Sequence, residues 1–310
     1  MGYHPRIEPS DKSSFLTSRC RNSKLWFANN RPVEEAILGY AAKFKLRYDV
    51  KLYALAIEGS HIQAPADFPL RNRAKFMQDF NSNVARCIPR YTSHYPGGRL
   101  FERRYSSEFM PGMEDIEEYF FYTVLQPVND GLVSKLSEYP FYNCFNDAVN
   151  GIERLYKVVD WTAYHAKKRY DPSARIKDFT KLIPLKYNRL PGYEGLSQKD
   201  YSKLMSQKLE ERRVKIVNER LAAGKGFLGR DYLLTVVPGT PAKNPKRSKY
   251  SDHRPRVLSI CPERRAVCLD WYFRNYFDYK IASKKYRQGD LHAIFPEGMY
   301  PPSLPCYQPT

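Results

Sequence analysis

Between residues 14 and 127 the apolar residues change period several times, and that alternation limits the fold more than any other feature of the chain. SFLTSRC (14–20) reads as a short strand. RPVEEAILGYAAKFKLRY (31–48) reads as a helix, with Val33, Ile37, Tyr40 or Ala41 and Phe44 recurring at helical spacing. DVKLYALAI (49–57) is a buried strand, and the residues after it, EGSHIQAP (58–65), extend it. NRAKFMQDFNSNVARCI (72–88) is a second helix, apolar at Phe76, Phe80, Val84 and Cys87 and ended by Pro89. GRLFERRYSSEF (98–109) looks extended, behind a turn at Gly97 and Gly98. MEDIEEYFFYTVLQP (113–127) is a helix with acids in its first turn, as the macrodipole favours, and Pro127 past its end. This order predicts an α+β module with a mainly antiparallel sheet and helices packed on it.

Beyond about residue 150 the pattern turns helical. LSQKDYSKLMSQKLEERRVKIVNERLAAG (196–224) opens on a capping-box spacing at Ser197 and Asp200 and closes at Gly224. PERRAVCLDWYFRNYFDYKIASKKYRQG (262–289) is an aromatic-rich helix. We read it as a packed core helix in preference to a base-stacking one. PGTPAKNPKRSKYSDHRPR (238–256), between them, is a basic loop poor in apolar residues.

Charge divides the chain at the same place. The net charge is +18. Residues 151–310 hold 32 Lys and Arg against 16 Asp and Glu, whereas residues 1–150 hold 19 against 17. We therefore read a nearly neutral module over 1–150, followed by a basic, mainly helical region over 151–310. A basic excess of this size points to a polyanion, most simply nucleic acid. No apolar run approaches roughly 18 residues, so no membrane span is expected. The N-terminus lacks the apolar core of a signal peptide, which predicts a cytoplasmic, nucleoid-associated protein. The six cysteines are scattered without a C-x-x-C pair, arguing against structural zinc and against a disulfide framework. GKGFLG (224–229) has the glycine spacing of a dinucleotide loop, but it follows a helix instead of a strand and is rejected as one.

Two short stretches carry candidate chemistry. His61 and Gln63 are two apart on an extended segment and so share one face of the sheet. Tyr122 and Gln126 are four apart and share a helical stripe, with Asp115 and Glu118 on the same side and Ile116, Phe120 and Val124 on another. A tyrosine held off the apolar face, with a metal-ligating amide one turn later, is the arrangement a nucleophilic phenol needs. Each pair alone is a weak signal.

Together, these segments resemble the single-tyrosine HUH transposases, and within them the REP-associated tyrosine transposases. RYDVKLYALAIEGSHIQ (47–63) aligns with the family's R-Y-G-F-R-L and M-P-N-H-V-H stretch, setting His61 on its first histidine and Gln63 on its second. LFERRYSS (100–107) resembles its L-W-x-x-R-Y-x-S segment, and SEYPFYN its Y-P-W-S-S tail. YFFYTVLQPVNDGLV (119–133) resembles R-Y-I-x-x-N-P-V-R-A-G-L-V, which sets Tyr122 on the nucleophile. The resemblance covers residues 13–145. It implies a ferredoxin-like antiparallel sheet with packed helices. It also implies a metal-dependent strand transferase acting on single-stranded or hairpin DNA (palindromic repeats or element ends) through a 5′-phosphotyrosine link. By the same resemblance Tyr122 is catalytic, and His61, Gln63 and Gln126 ligate Mg²⁺ or Mn²⁺. Gln63 in place of the second histidine, and Gln126 in place of Asn, depart from the family pattern. The alternative is a domesticated nucleic-acid-binding protein of the same fold without nicking activity. Candidate phosphate contacts are Arg103, Arg104, Lys246, Arg247, Lys249, Arg254 and Arg256, and a homodimer is compatible with all of this.

Overall fold

The computed structural model of the chain describes residues 5–242 and 256–303. The first strand, β1 (Ser13–Arg19), leads into α1 (Arg31–Arg47). Two short strands, β2 (Lys51–Leu52) and β3 (Ala56–Glu58), precede β4 (His61–Asp67). Then come α2 (Arg73–Tyr91) and β5 (Ser106–Met110). The sheet runs β2-β4-β1-β5, β3 also pairs with β4, and every pairing is antiparallel. With α1 and α2 as the two crossovers, this is the βαββαβ arrangement of a ferredoxin-like fold.

The two faces of the sheet follow from the period-2 alternation of strands. Leu16 and Ser18 on β1 and Ile62 and Ala64 on β4 meet Ala41 of α1 and Phe76, Met77 and Phe80 of α2. The opposite face carries Phe15 on β1 and His61 and Gln63 on β4, and α3 (Met113–Val124) covers it. The Tyr119 ring of α3 lies 5.1 Å from that of Phe15.

Three elements differ from the sequence reading. His61 and Gln63 open a new strand after a turn at Gly59 and Ser60; they do not end the preceding one, though the shared-face inference is unaffected. Helix α2 continues through Pro89 to Tyr91; a proline this close to a helix end forfeits a single ladder bond. The helix read over 113–127 breaks at Leu125, with α4 (Gln126–Asn129) following. Pro127 cannot continue the ladder, because it lacks the N–H and its ring meets the carbonyl four residues back.

The second half adds α5 (Phe145–Asn150), β6 (Arg154–Val159), α6 (Trp161–Lys168), β7 (Thr180–Leu185), α7 (Gln198–Ala222), α8 (Arg230–Thr235) and α9 (Pro262–Arg287). It is helical as expected, except for the antiparallel hairpin β6–β7, which the sequence reading missed. The hairpin lies against α1. A Cβ on Gly39 would stand 3.0 Å from both the Lys157 carbonyl oxygen and the Val158 side chain, so any larger residue would push the hairpin back by a few tenths of an ångström. The aromatic helix α9 is a core helix on one side only: Cys268 and Tyr272 are buried, whereas Phe273 and Phe277 are exposed. Gly229, with φ of 84°, caps α8, in keeping with a turn role for the glycines of GKGFLG. Among the described residues, no helix is long and apolar enough to cross a membrane.

Asp115 ties the halves together. Fully buried, it accepts hydrogen bonds from the Gly112 N–H at 2.9 Å and the Ile260 N–H at 2.8 Å, and pairs with Arg264 at 3.2 Å. Asp115→Ala would strand these donors. We expect a loss of about 2–4 kcal/mol in urea denaturation, because buried donors stay unsatisfied while Arg264 is half-exposed and partly solvated. A loss below about 0.5 kcal/mol, the usual range for surface substitutions, would contradict this account.

Candidate functional site

Strand register builds one side of the site. His61 is paired across β3–β4 with Glu58 and across β1–β4 with Arg19; Gln63 is paired with Ala56 and Thr17. Cross-strand partners point to the same face, so Glu58, His61, Gln63 and Arg19 share it. Glu58 Oε2 lies 3.6 Å from His61 Nε2, and the other ring nitrogen, Nδ1, lies 3.4 Å from Ser60 Oγ. Glu58, His61 and Gln63 are all buried, at 5, 7 and 6% exposure.

Helix α3 and the start of α4 supply the other side. The Tyr122 phenol lies close enough to the side-chain amides of Gln63 and Gln126 for both to lower its pKa. Gln126 Nε2 donates to Asp130 Oδ2 at 3.2 Å. The Tyr122 ring packs edge-on against Phe15 at 5.9 Å and beside Tyr119 at 5.8 Å, and the residue as a whole remains 39% exposed. The break at Leu125 therefore does not separate the pair: tyrosine, amides, histidine and acids all come from one chain and meet in one place.

The electrostatics are less favourable to attack. Burial first, and then the Asp130 and Glu58 carboxylates, raise the Tyr122 phenol above its ordinary pKa, against the two amides that pull it down. The neighbouring Tyr119 is pushed up to about 12, by burial first and then by Tyr122 and the nearby acids.

Both amides leave their oxygens unsatisfied. Gln63 Oε1 and Gln126 Oε1 are buried atoms without a hydrogen-bond partner. Such atoms call for explanation, because leaving a buried acceptor unpaired costs about 1–3 kcal/mol. A divalent cation that prefers oxygen donors fits them, with His61 Nε2 completing the set. Among the described residues, no group of three or more His, Cys, Asp or Glu side chains gathers as a metal site. A metal held here would draw two of its donors from amide oxygens.

Other expected residues fall elsewhere. Asp115 and Glu118 do not join the Tyr122 stripe: Asp115 makes the buried tie to Ile260 and Arg264, and Glu118 pairs with Arg212 of α7. Arg103 is half-buried and Arg104 exposed on the segment leading into β5. Burial, and after it the repulsion from Arg104 and Arg73, lower the pKa of Arg6 against an opposing effect of Tyr105. Arg256 lies at the edge of β5, its carbonyl accepting from the Phe109 N–H at 2.8 Å and its guanidinium 5.8 Å from the Tyr272 ring. Lys246, Arg247, Lys249 and Arg254 lie outside the described residues. Sequence reasoning missed Glu58, Asp130 and Arg19. The signal for Glu58 was its place before a glycine turn, three residues from His61.

No model of a known protein family matches the sequence, and no curated protein matches it. Among solved structures, the chain is similar to a REP-associated tyrosine transposase bound to a REP hairpin. The TM-score is 0.41 at 16% identity, over 49% of this chain and 87% of that one. It is also similar to tRNA(His) guanylyltransferase from Saccharomyces cerevisiae, with a TM-score of 0.33 at 12% identity, over 42% of this chain and 64% of that one. At such scores neither likeness bears on activity; the fold rests on the strand order and the site on its own side chains.

If the buried amide oxygen of Gln63 serves a ligand and not the fold, Gln63→Leu should not destabilise the protein in EDTA. We expect a melting temperature equal to or above that of the wild type, since removing an unpaired buried polar group is neutral or favourable. A loss of more than about 2 kcal/mol would make Gln63 a structural residue.

Proposed function

We propose that the protein is a metal-dependent single-tyrosine DNA strand transferase of the HUH type, related to the REP-associated tyrosine transposases. One observation carries the reading: Tyr122, on the helix that covers this face of the sheet, comes close enough to Gln63 and Gln126 for both amides to pull its phenol pKa down, and both amides keep a buried, unpartnered oxygen. Their order and spacing along a ferredoxin-like module are those on which the resemblance rests. Residues 1–150 would be the nicking module. Residues 151–310, with their excess of Lys and Arg, would supply most of the affinity for the backbone of single-stranded or hairpin DNA. Such a protein would act on nucleoid DNA in the cytoplasm.

His61, Gln63 and Gln126 would hold Mg²⁺ or Mn²⁺, which supplies Lewis-acid polarisation of a non-bridging phosphate oxygen when bound. Tyr122 Oη attacks the phosphorus. The bond from phosphorus to the 3′-oxygen breaks as the bond to Oη forms, leaving a 5′-phosphotyrosine link and a free 3′-OH. The phenol loses its proton and the departing 3′-oxygen gains one. No water is consumed, so the phosphodiester bond energy is retained and the strand can be rejoined. Gln63 and Gln126, beside the phenol, would help ease its loss of the proton. Arg19, across from His61, contributes a cation on the same face.

The second reading, a nucleic-acid-binding protein of the same fold that does not nick, is favoured by the raised pKa of Tyr122. Incubating the full chain with a labelled hairpin and Mg²⁺ or Mn²⁺ separates the two. A denaturation-resistant protein–DNA adduct is expected in wild type, and a loss of at least about 10³-fold in Tyr122→Phe, as for removal of a nucleophile. Hairpin binding without an adduct under either ion would establish the second reading.

A further inference from the structure

Helix α9 is apolar on two opposite sides, and the fold uses one of them. Cys268 and Tyr272 lie in a small core with Ile7, Phe109 and Val257. On the other side Phe273, Phe277 and Ile281 stand in solvent, at 42, 57 and 59% exposure. With 3.6 residues per turn, positions 270, 273, 277, 281 and 284 all fall within about 40° of the line through Phe277. That line reads Asp270, Phe273, Phe277, Ile281, Lys284: an acid, three apolar residues and a base. Asp270 and Lys284 are exposed as well. A contiguous apolar stripe flanked by charge is the mark of a protein-binding surface.

The order of residues along the stripe identifies the partner, because the stripe is its own complement. Laid antiparallel against a second copy with Phe277 on the two-fold axis, Phe277 meets Phe277, Phe273 meets Ile281, and Asp270 meets Lys284 at both ends. We infer that α9 is a self-association surface, through which two copies of the chain pair as an antiparallel, two-fold symmetric pair of helices. A parallel pairing would set Asp270 against Asp270 and Lys284 against Lys284, so the charges select the antiparallel one. Asp270 pairs with Arg274 one turn on, but both are exposed, and an exposed pair gives way at little cost. Stacked bases fit the stripe less well. Ile281 has no ring to stack on, and Asp270 would repel a phosphate. A single pair of helix faces buries less than about 1,200 Å², so the dimer is a weak, reversible one. The surface lies outside residues 13–145 and depends on nothing proposed for Tyr122 or for a metal.

Sedimentation velocity of the full chain, freed of nucleic acid by nuclease treatment, tests the pairing. Wild type should pass from monomer to dimer between about 1 and 100 µM, where such interfaces dissociate. Phe277→Glu sets two carboxylates on the axis and removes the central aromatic anchor, and should weaken the dimer at least about thirtyfold. Asp270→Lys and Lys284→Asp each set like charges at both ends and should weaken it at least about fivefold. The double variant Asp270→Lys with Lys284→Asp restores opposite charges and should return to within about twofold of wild type. All four variants change exposed positions and should keep the melting temperature of the wild-type monomer. A dimer that survives Phe277→Glu uses another surface, and failure of the double variant to recover refutes the antiparallel register. A wild type that stays monomeric throughout overturns the inference. If Phe277→Glu then weakens binding of a labelled single-stranded oligonucleotide, the stripe is a nucleic-acid contact instead.

Discussion

The site depends on the register of β4. The strand leaves the Gly59–Ser60 turn paired with β3 on one side and β1 on the other, which sends Ile62 and Ala64 toward α1 and α2 and His61 and Gln63 toward α3. A slip of one residue would exchange the two sets, burying an imidazole and an amide in the hydrophobic layer and setting Ile62 beside Tyr122. Register is thus held by the larger core, and the site inherits its geometry from packing it does not take part in. The same ladder sets Glu58 opposite His61, so the turn fixes a carboxylate and an imidazole together.

The basic half has a structural role next to any it has toward DNA. The outer surface of α3 is acidic, and α7 neutralises it: Lys208 pairs with Glu117 at 2.8 Å, and Arg212 reaches Glu117 and Glu118. Farther along α7, Arg213 donates to the Ser134 carbonyl at 2.9 Å and Arg220 to the Asn129 carbonyl at 3.0 Å. Residues 256–258 extend the sheet at its β5 edge, with the Leu258 N–H donating to the Phe109 carbonyl at 2.7 Å, so that edge is covered. The helix bearing Tyr122 is therefore gripped by the C-terminal half from its first turn to the loop beyond Gln126. Charge counted from sequence cannot separate cations spent on this clamp from those left to meet a polyanion.

What could be read from the sequence follows the range of the interactions involved. Helices α1 to α3, strand β1, and the pairs His61–Gln63 and Tyr122–Gln126 follow from spacings of two to four residues, which periodicity reports. That the two pairs meet came from the resemblance, because no local spacing links residue 63 to residue 122. Glu58 escaped because three residues across a tight turn look like any helical spacing until the turn is known. The hairpin β6–β7 escaped for a different reason. Leu155 and Leu182 are exposed on it, so its strands lack the clean alternation of a half-buried sheet.

The surroundings of Tyr122 oppose its ionisation and orient it at the same time. Burial and two carboxylates raise the phenol's pKa against two amides that lower it, so the protein by itself stores a protonated tyrosine among these groups. For a structural tyrosine this surrounding has no evident use: the amide oxygens go unsatisfied in the interior. For a nucleophile whose attack breaks a DNA strand the arrangement makes sense, because the obstacles are all of one sign. Negative potential and unpaired acceptors are both relieved by positive charge placed among the same oxygens, and that charge would favour the phenolate as well. Reactivity would then be tied to the occupancy of the site, and the tyrosine would remain inert in its absence.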